Sequence, residues 1–235
     1  MSYPETYYKR TKTDARIRPV LTGQQECDTV IIGAGLAGLT TALQLVRTGQ
    51  TVVVLETESV GFGASGRNGG FVSAGFATDD DQIARMAGEA AAHKLHRLSA
   101  EGVDFVRDTI HALNIEDVKL KTGLMSVRRY DDAKSLMDYV AETERVYGYA
   151  LHFMPRDEVQ AVLKSQRYFQ AVRDPKAFHI HPLNYLRAVP SEIERLGGYI
   201  YEQSAALKTE LERPAKAVWT AKGQVFAKNV VFSTR

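Results

Sequence analysis

Gly33, Gly35 and Gly38 stand in the spacing G-x-G-x-x-G, and Glu56 follows at the end of the next apolar run. Each residue type suits one task in holding a dinucleotide. Gly33 permits a tight turn. Gly35 has no Cβ, so backbone can approach a pyrophosphate, and Gly38 lets a helix lie close on a sheet. The N–H groups around Leu36 and Ala37 open that helix, where partial positive charge favours phosphate. Glu56, followed by Thr57, is placed to accept hydrogen bonds from a ribose diol. Its charge repels a 2′-phosphate, which argues against NADP.

The elements needed to position these residues are legible on either side. Thr29–Ile32 is a short apolar run, read as a strand. Leu36, Leu39, Leu43 and Leu45–Val46 recur at helical spacing, with Ala42 keeping the packing close and Gly49 closing the helix. Val52–Leu55 is the second strand. Strand, glycine turn, helix, strand and acid in this order make the dinucleotide-binding βαβ unit in full context, which a lone glycine motif does not.

A second glycine cluster follows. Gly61, Gly63, Gly66, Gly69 and Gly70 fall within ten residues, interleaved with Phe62, Phe71, Val72 and Phe76. Bare backbone of this kind wraps a flat or polyanionic ligand and offers N–H donors. Ser65 adds a hydroxyl, Arg67 a fixed cation and Asn68 an amide. The aromatic residues predict a packed loop. An ordinary NAD-binding unit would enter its next helix here, so the loop argues against an NAD-dependent dehydrogenase.

Composition sets the remaining bounds. Hydrophobic residues make up 44% and charged residues 25% of 235 positions, usual for a globular chain. The net charge of +2 gives no reason to expect a nucleic-acid partner. One cysteine, Cys27, excludes an internal disulfide and suits a reducing compartment. It is read as a small core residue. No apolar run reaches transmembrane length, and the polar opening residues lack a signal-peptide pattern. The expected location is the cytoplasm. No metal site is expected.

The strings GAGLAG, LE and VGFGASGRNGG together resemble the amino-terminal part of the FAD-dependent amine and amino-acid oxidoreductases, the D-amino-acid-oxidase-like superfamily. ASGRNGG and the arm TYYKRT are most similar to its gamma-glutamylputrescine oxidase branch. The resemblance spans residues 5–80 strongly and 175–235 loosely. It implies an α/β fold: a Rossmann-like FAD-binding domain with an inserted α+β substrate domain, here cut short. It implies FAD as cofactor. Gly33, Gly35, Leu36, Ala37 and Gly38 would then face the pyrophosphate, and Glu56 and Thr57 the adenosine ribose. Gly63, Ala64, Ser65, Gly66, Arg67 and Asn68 would lie along the pyrophosphate and the flavin ring, with Gly69 and Gly70 behind. Ala206 stands where backbone reads adenine. Ser233 and Thr234 stand where a strand end passes the cofactor. Arg235 replaces a small or amide residue there.

The chain divides into an arm over 1–25, the βαβ unit and glycine loop over 26–80, a middle region over 81–175 belonging partly to the substrate domain, and a return to the FAD-binding domain over 176–235. The arm shows no helical or strand periodicity, and Tyr3, Tyr7 and Tyr8 are expected to pack it onto the body or onto a partner. Residues 79–113 read as helix with a break at Gly102, and His93 and His96 as exposed helix residues. Thr122–Arg128 alternates like a strand opening a separate sheet. Helices are expected over 131–147, after Pro155 and from Pro182 to Gly197, the last kinked at Pro190. His179 and His181 read as one surface and one capping histidine. Strands are expected over 168–172 and 199–206, as a hairpin around Lys222-Gly223, and over 230–232.

Implied by the resemblance, the activity is oxidation of the C–N bond of a primary or secondary amine or amino acid by hydride transfer to flavin, with imine hydrolysis. Gamma-glutamylputrescine, sarcosine-like amines and small D-amino acids all remain open, and no general base is apparent. Members of the family continue well past the point where Arg235 ends this chain. A non-catalytic or split half-enzyme, needing a partner chain for the rest, is the alternative.

Overall fold

A computed structural model describes residues 3–212 and 214–234. Arg235 lies outside them, as do Met1, Ser2 and Arg213. The chain forms two compact units. The first comprises Met1–Gly69, Leu113–Val118 and His181–Arg235, and the second Gly70–Ala112 and Lys119–Ile180.

The first unit holds a six-stranded sheet. Its strands are β1 (Gly23–Ile32), β2 (Val52–Leu55), β7 (Tyr199–Tyr201), β8 (Lys208–Glu210), β9 (Lys216–Trp219) and β10 (Gly223–Phe232). The order is β7-β2-β1-β10-β9-β8. β7, β2, β1 and β10 run parallel, whereas β9 and β8 continue antiparallel. Parallel strands covered on both faces read as continuous apolar runs, and Val52–Leu55 is buried at every position. On one face Leu21, Val30, Ile32, Val53, Leu55, Val218 and Val225 form a single core. Helices α2 (Leu36–Arg47) and α7 (Pro182–Arg195) also belong to this unit and pack on each other. Gly198 allows close approach there, because a Cβ would lie 2.6 Å from Ile193 Cγ2.

Several expectations are corrected in this unit. The arm contains a short helix, α1 (Tyr7–Thr11), capped by Thr6, whose side chain accepts from Lys9 N–H. Its periodicity is invisible because five residues hold less than two turns. The last hairpin strand and the final apolar run are one strand, β10, paired with β1 from Gly23↔Gly223 to Ile32↔Phe232. The strand expected over 199–206 stops at Tyr201, where Glu202 and Ser204 turn inward. His181 is the capping histidine: its Nδ1 accepts from Asn184 N–H at 3.1 Å. That leaves Nε2 carrying the proton, which it donates to Thr11 Oγ1 at 2.9 Å, tying α1 to α7. Cys27 is half-buried on β1, and burial pushes its thiol up to about 11.

The second unit is an antiparallel sheet with helices. β4 (Lys121–Val127) and β3 (Phe71–Val72) flank β6 (Ala171–His179), and β5 (His152–Met154) also pairs with β6. Helices α3 (Asp80–Ala87), α4 (Glu89–Ala112), α5 (Ala133–Tyr147) and α6 (Arg156–Leu163) complete it. The helix break falls at Gly88, φ +88°, not at Gly102, which lies inside a continuous α4. His96 is buried rather than exposed. Its Nδ1 lies 3.0 Å from Asp80 Oδ2, and its ring stacks on Tyr147. The strand expected over 168–172 begins at Ala171 and runs to His179. Phe71 and Phe76 are exposed at 64% and 49%, so the packing inferred from the interleaved aromatics holds for Phe62 alone of the three phenylalanines.

Candidate functional site: two laced glycine turns

The site is built where β1 ends. Gly33 has φ +108°, a region that side chains disfavour. A Cβ there would meet Ser233 O at 2.6 Å. Gly38 sits under the same turn, where a Cβ would lie 2.0 Å from Gly33 O. These two glycines are therefore demanded by packing. Gly35 is different. It is the N-cap of α2, offers no side-chain cap, and is half-buried. Leu36 and Ala37 are exposed, so the first turn of α2 opens outward. The first N–H groups of a helix have no partner within it.

The second glycine stretch supplies the missing cap. Leu36 N–H donates to Ser65 Oγ at 3.0 Å. Gly61 N–H donates to Ala34 O at 3.1 Å. The two stretches thus lie side by side, laced by one side-chain and one backbone bond. Ala64–Gly66 forms a single 3-10 turn. A Cβ on Gly66 would lie 2.0 Å from Gly61 O, so this glycine closes the loop on itself. Gly63, Ala64, Arg67, Asn68 and Gly69 are exposed. Asn68 Nδ2 donates to Ser65 O at 2.7 Å, and Arg67 Nε to Gly63 O at 3.2 Å. Both side chains brace the loop as well as line it. Gly70 belongs to the second unit. There its carbonyl accepts from Ile180 N–H, and a Cβ would lie 2.2 Å from Ile180 O. Strand packing accounts for that glycine without a ligand.

Glu56 follows β2 directly. Its Oε2 accepts from Ala34 N–H and its Oε1 from Glu58 N–H, both at 2.9 Å. Each carboxylate oxygen keeps a further lone pair for a hydroxyl. Thr57 beside it is exposed. Ser204 N–H donates to Glu56 O at 2.8 Å, which brings the segment carrying Ala206 to this end of the sheet. Ala206 itself packs half-buried on the core. Ser233 N–H donates to Ile32 O at 2.9 Å, and Thr234 Cγ2 lies 3.2 Å from the place of a Gly33 Cβ. The predicted residues of the first unit, Gly33 to Gly69 with Ser233 and Thr234, therefore gather around one turn.

Two contributors, Ala34 and Glu202, and the specific contacts of Tyr3 were not read from the sequence. Ala34 is the hub, with its N–H on Glu56 and its carbonyl on Gly61. Tyr3 reaches from the arm, its hydroxyl donating to Gly66 O at 3.0 Å and its ring 5.6 Å from Phe62. Buried Glu202 accepts from Val60 N–H at 2.8 Å and Arg18 N–H at 3.0 Å, fixing the entry to the glycine loop. No sequence signal marks these bonds, because each joins residues far apart in the chain.

The arrangement has the chemistry of a diphosphate cradle. It combines an open helix N-terminus, a second loop of bare backbone beside it, and a carboxylate at the neighbouring strand end. An FAD diphosphate fits these donors, since exposed residues rather than packed side chains stand above both turns. Among the described residues no group of three or more His, Cys, Asp or Glu could hold a metal ion. Among them, no helix is long and apolar enough to cross a membrane.

Comparison with known proteins gives the same direction. Residues 28–234 match the family model described as DAO, FAD dependent oxidoreductase. The chain is 36% identical over 206 residues to the gamma-glutamylputrescine oxidoreductase of Escherichia coli, covering 87% of this chain and 48% of that protein. It is 34% identical over 233 residues to the probable oxidoreductase OrdL of Haemophilus influenzae, covering 97% and 53%. The chain thus spans about half the length of the relatives it matches. Among solved structures it is similar to a glycine oxidase from Geobacillus kaustophilus, with a TM-score of 0.74 at 17% identity over 89% of this chain and 55% of that one. It is also similar to an L-amino acid deaminase from Proteus myxofaciens, with a TM-score of 0.75 at 19% identity over 92% and 47%. These two likenesses concern the fold.

Proposed function

The chain belongs to the DAO family of FAD-dependent oxidoreductases, and from that premise we propose that it is the nucleotide-holding half of an enzyme oxidising the C–N bond of a small primary or secondary amine or amino acid. The observation that carries this reading is the lacing of Ser65 to Leu36 N–H and of Gly61 to Ala34. It sets both glycine turns side by side, which supports their serving one ligand. In this reading the N–H groups of Gly35 and Ala37 face the diphosphate, with Leu36 between them and its own N–H held on Ser65 Oγ. Glu56 and Thr57 receive the adenosine ribose, and the backbone at Ala206 receives adenine. Gly63 to Gly69 line the diphosphate and ring, and Ser233 and Thr234 border them.

Bound FAD supplies the electron acceptor: hydride leaves the amine-bearing carbon, and the imine is hydrolysed to a carbonyl compound and ammonia or an amine. The residues described here bind and orient. Arg67, exposed and held at Gly63 O, would set a fixed positive charge beside the ring. The substrate class follows the amine and amino-acid names of the relatives, and the proposed location is the cytoplasm. A second reading rests on the half-length match: the chain works together with a further polypeptide that supplies the rest of the substrate site.

Purified chain mixed with FAD and desalted tests both. The proposal expects a yellow protein whose flavin absorbance bleaches when an amine substrate is added without oxygen. Bleaching only in the presence of a second chain supports the split reading. A colourless chain that takes up no FAD contradicts both.

A further inference from the structure

We infer that Tyr3 is a positioning residue for FAD: from the amino-terminal arm it holds the turn over residues 61–66 in the shape that receives the diphosphate, so that docking of the arm and binding of FAD favour each other. This coupling rests on the FAD-binding reading above. A glycine-rich turn needs outside support. Gly61, Gly63 and Gly66 fall within six residues, and glycine loses more conformational freedom on ordering than any other residue. A ligand that requires one shape of such a turn binds with an affinity reduced by the fraction of chains holding that shape.

The turn is held at three places. Beneath Gly61 lie Leu183 and Leu186 of α7, their Cδ1 atoms 3.0 and 3.1 Å from the place of a Gly61 Cβ. Its entry is fixed at Val60, whose N–H donates to Glu202 Oε1 at 2.8 Å. Its exit is held by Tyr3. Gly66 is buried, and a buried carbonyl needs a partner. The Tyr3 hydroxyl supplies it, donating to Gly66 O at 3.0 Å. The Tyr3 ring also meets Phe62 edge-on, with centroids 5.6 Å apart, and the Arg67 guanidinium stands 5.8 Å from that same Phe62 ring. Burial pushes the Tyr3 hydroxyl above its ordinary value, with Arg67 and Arg187 acting against the shift, so it stays protonated as a donor at neutral pH.

The helix beneath the turn also carries the arm. Along α7, His181, Asn184, Arg187, Ser191 and Glu194 recur every three or four positions, which sets them in one stripe. Thr11 Oγ1 accepts from His181 Nε2 at 2.9 Å, and Thr13 N–H donates to Asn184 Oδ1 at 3.2 Å. Arg187 Nε donates to Asp14 O at 2.8 Å. Arg16 Nη1 donates to Ser191 Oγ at 3.3 Å, and Arg18 Nε to Glu194 Oε1 at 2.7 Å. Arg18 N–H ends the run on Oε2 of Glu202, the carboxylate whose other oxygen holds Val60. Arm and turn thus share α7 and Glu202, and Tyr3 closes the ring between them. Between its tethers the arm is weak. Helix α1 has five residues, none of them buried, and a helix that short does not hold by itself. Segments of this kind open at low cost, so a ligand that steadies the turn also steadies the arm, and linkage makes the effect mutual.

Hydrogen–deuterium exchange by mass spectrometry on the full chain tests the coupling, in the parent and in Tyr3→Phe, with and without FAD. The substitution keeps a ring against Phe62 and deletes only the hydroxyl. Without FAD, Tyr3→Phe is expected to exchange the amides of residues 61–67 about two- to tenfold faster than the parent, the worth of one hydrogen bond, while β1 and β2 exchange as before. FAD affinity, from flavin fluorescence, falls by a similar factor. In the parent, FAD slows exchange at Thr13 and Arg18, and in Tyr3→Phe this protection is reduced. A merely structural role would instead speed exchange across the whole six-stranded sheet, and that pattern overturns the inference. So does a Tyr3→Phe chain that matches the parent in turn exchange or in FAD affinity, or a parent whose arm exchanges equally fast with FAD bound. A parent that takes up no FAD overturns the FAD-binding reading itself, and the coupling with it.

Discussion

Single residues set the site's limits, and glycine substitutions sort them. Gly33 and Gly38 have no room at all for a methyl group, with backbone carbonyls 2.6 and 2.0 Å from the added carbon. Alanine at Gly38 is expected to unfold the turn and lower stability by several kcal/mol, as overpacking against fixed backbone does, measurable by urea denaturation. Cys27 illustrates a polar group silenced by burial. With its thiol pushed up to about 11, it stays protonated at pH 8, and iodoacetamide labels it far more slowly than a free thiol. Rapid labelling of the native chain would contradict this.

Asp28 shows the opposite shift. Lys228 Nζ at 2.6 Å, then Thr51 N–H and Oγ1, hold its carboxyl well below the usual carboxylate range. A lowered folded pKa contributes stability above the ordinary value of about 4, lost as pH falls below it. Asp28→Asn is therefore expected to flatten the stability profile below about pH 4 relative to the parent, followed by thermal melts across pH. At this scale the sequence was most legible where a residue type stands at a motif's spacing. Gly33, Gly35, Gly38 and Glu56 could be assigned jobs directly. Ala34 and Glu202 could not, because alanine carries no functional side chain and Glu202 stands in no motif. Gly70 looked like a ligand glycine and is explained by its fit against Ile180.

Elements explain the misplaced boundaries. Both Gly88 and Gly102 interrupt an apolar helical pattern, and nothing local distinguishes them. The backbone does: Gly88 has φ +88°, whereas Gly102 lies within α4 with open space where a Cβ would go. Gly102→Ala is expected to raise stability by about 0.5–1 kcal/mol, from helix propensity and reduced unfolded-state entropy. Gly88→Ala is expected to lower it by a comparable or larger amount. The reverse order in denaturant melts would place the break wrongly. His181 joins two elements, capping α7 through Nδ1 and holding α1 through Nε2. Its replacement by alanine is expected to cost about 1 kcal/mol for the cap and to speed proteolysis of the arm. Helix starts with a capping residue or proline were readable. Short strands such as β3, β5 and β8 were not, since two or three residues carry no period.

For the molecule as a whole, parallel-sheet residues announced themselves as apolar runs in β1 and β2, and the βαβ order followed from them. The antiparallel continuation through β9 and β8 was only half visible, as a hairpin at Lys222-Gly223. The chain divides into two units, the first made of three separate segments, and it spans about half the length of the relatives it matches. What joins these scales is the claim that two separate glycine turns serve one diphosphate. It is tested most directly by FAD affinity, from flavin fluorescence, in the parent chain, in Gly35→Val and in Ser65→Leu, each checked for native circular dichroism. Gly35 and Ser65 lie on different stretches, yet a Cβ on Gly35 would lie 3.1 Å from Ser65 Oγ. The account predicts that each folded variant loses FAD affinity by about tenfold or more, a difference above about 1.4 kcal/mol. A folded Ser65→Leu chain that binds FAD as tightly as the parent would contradict it.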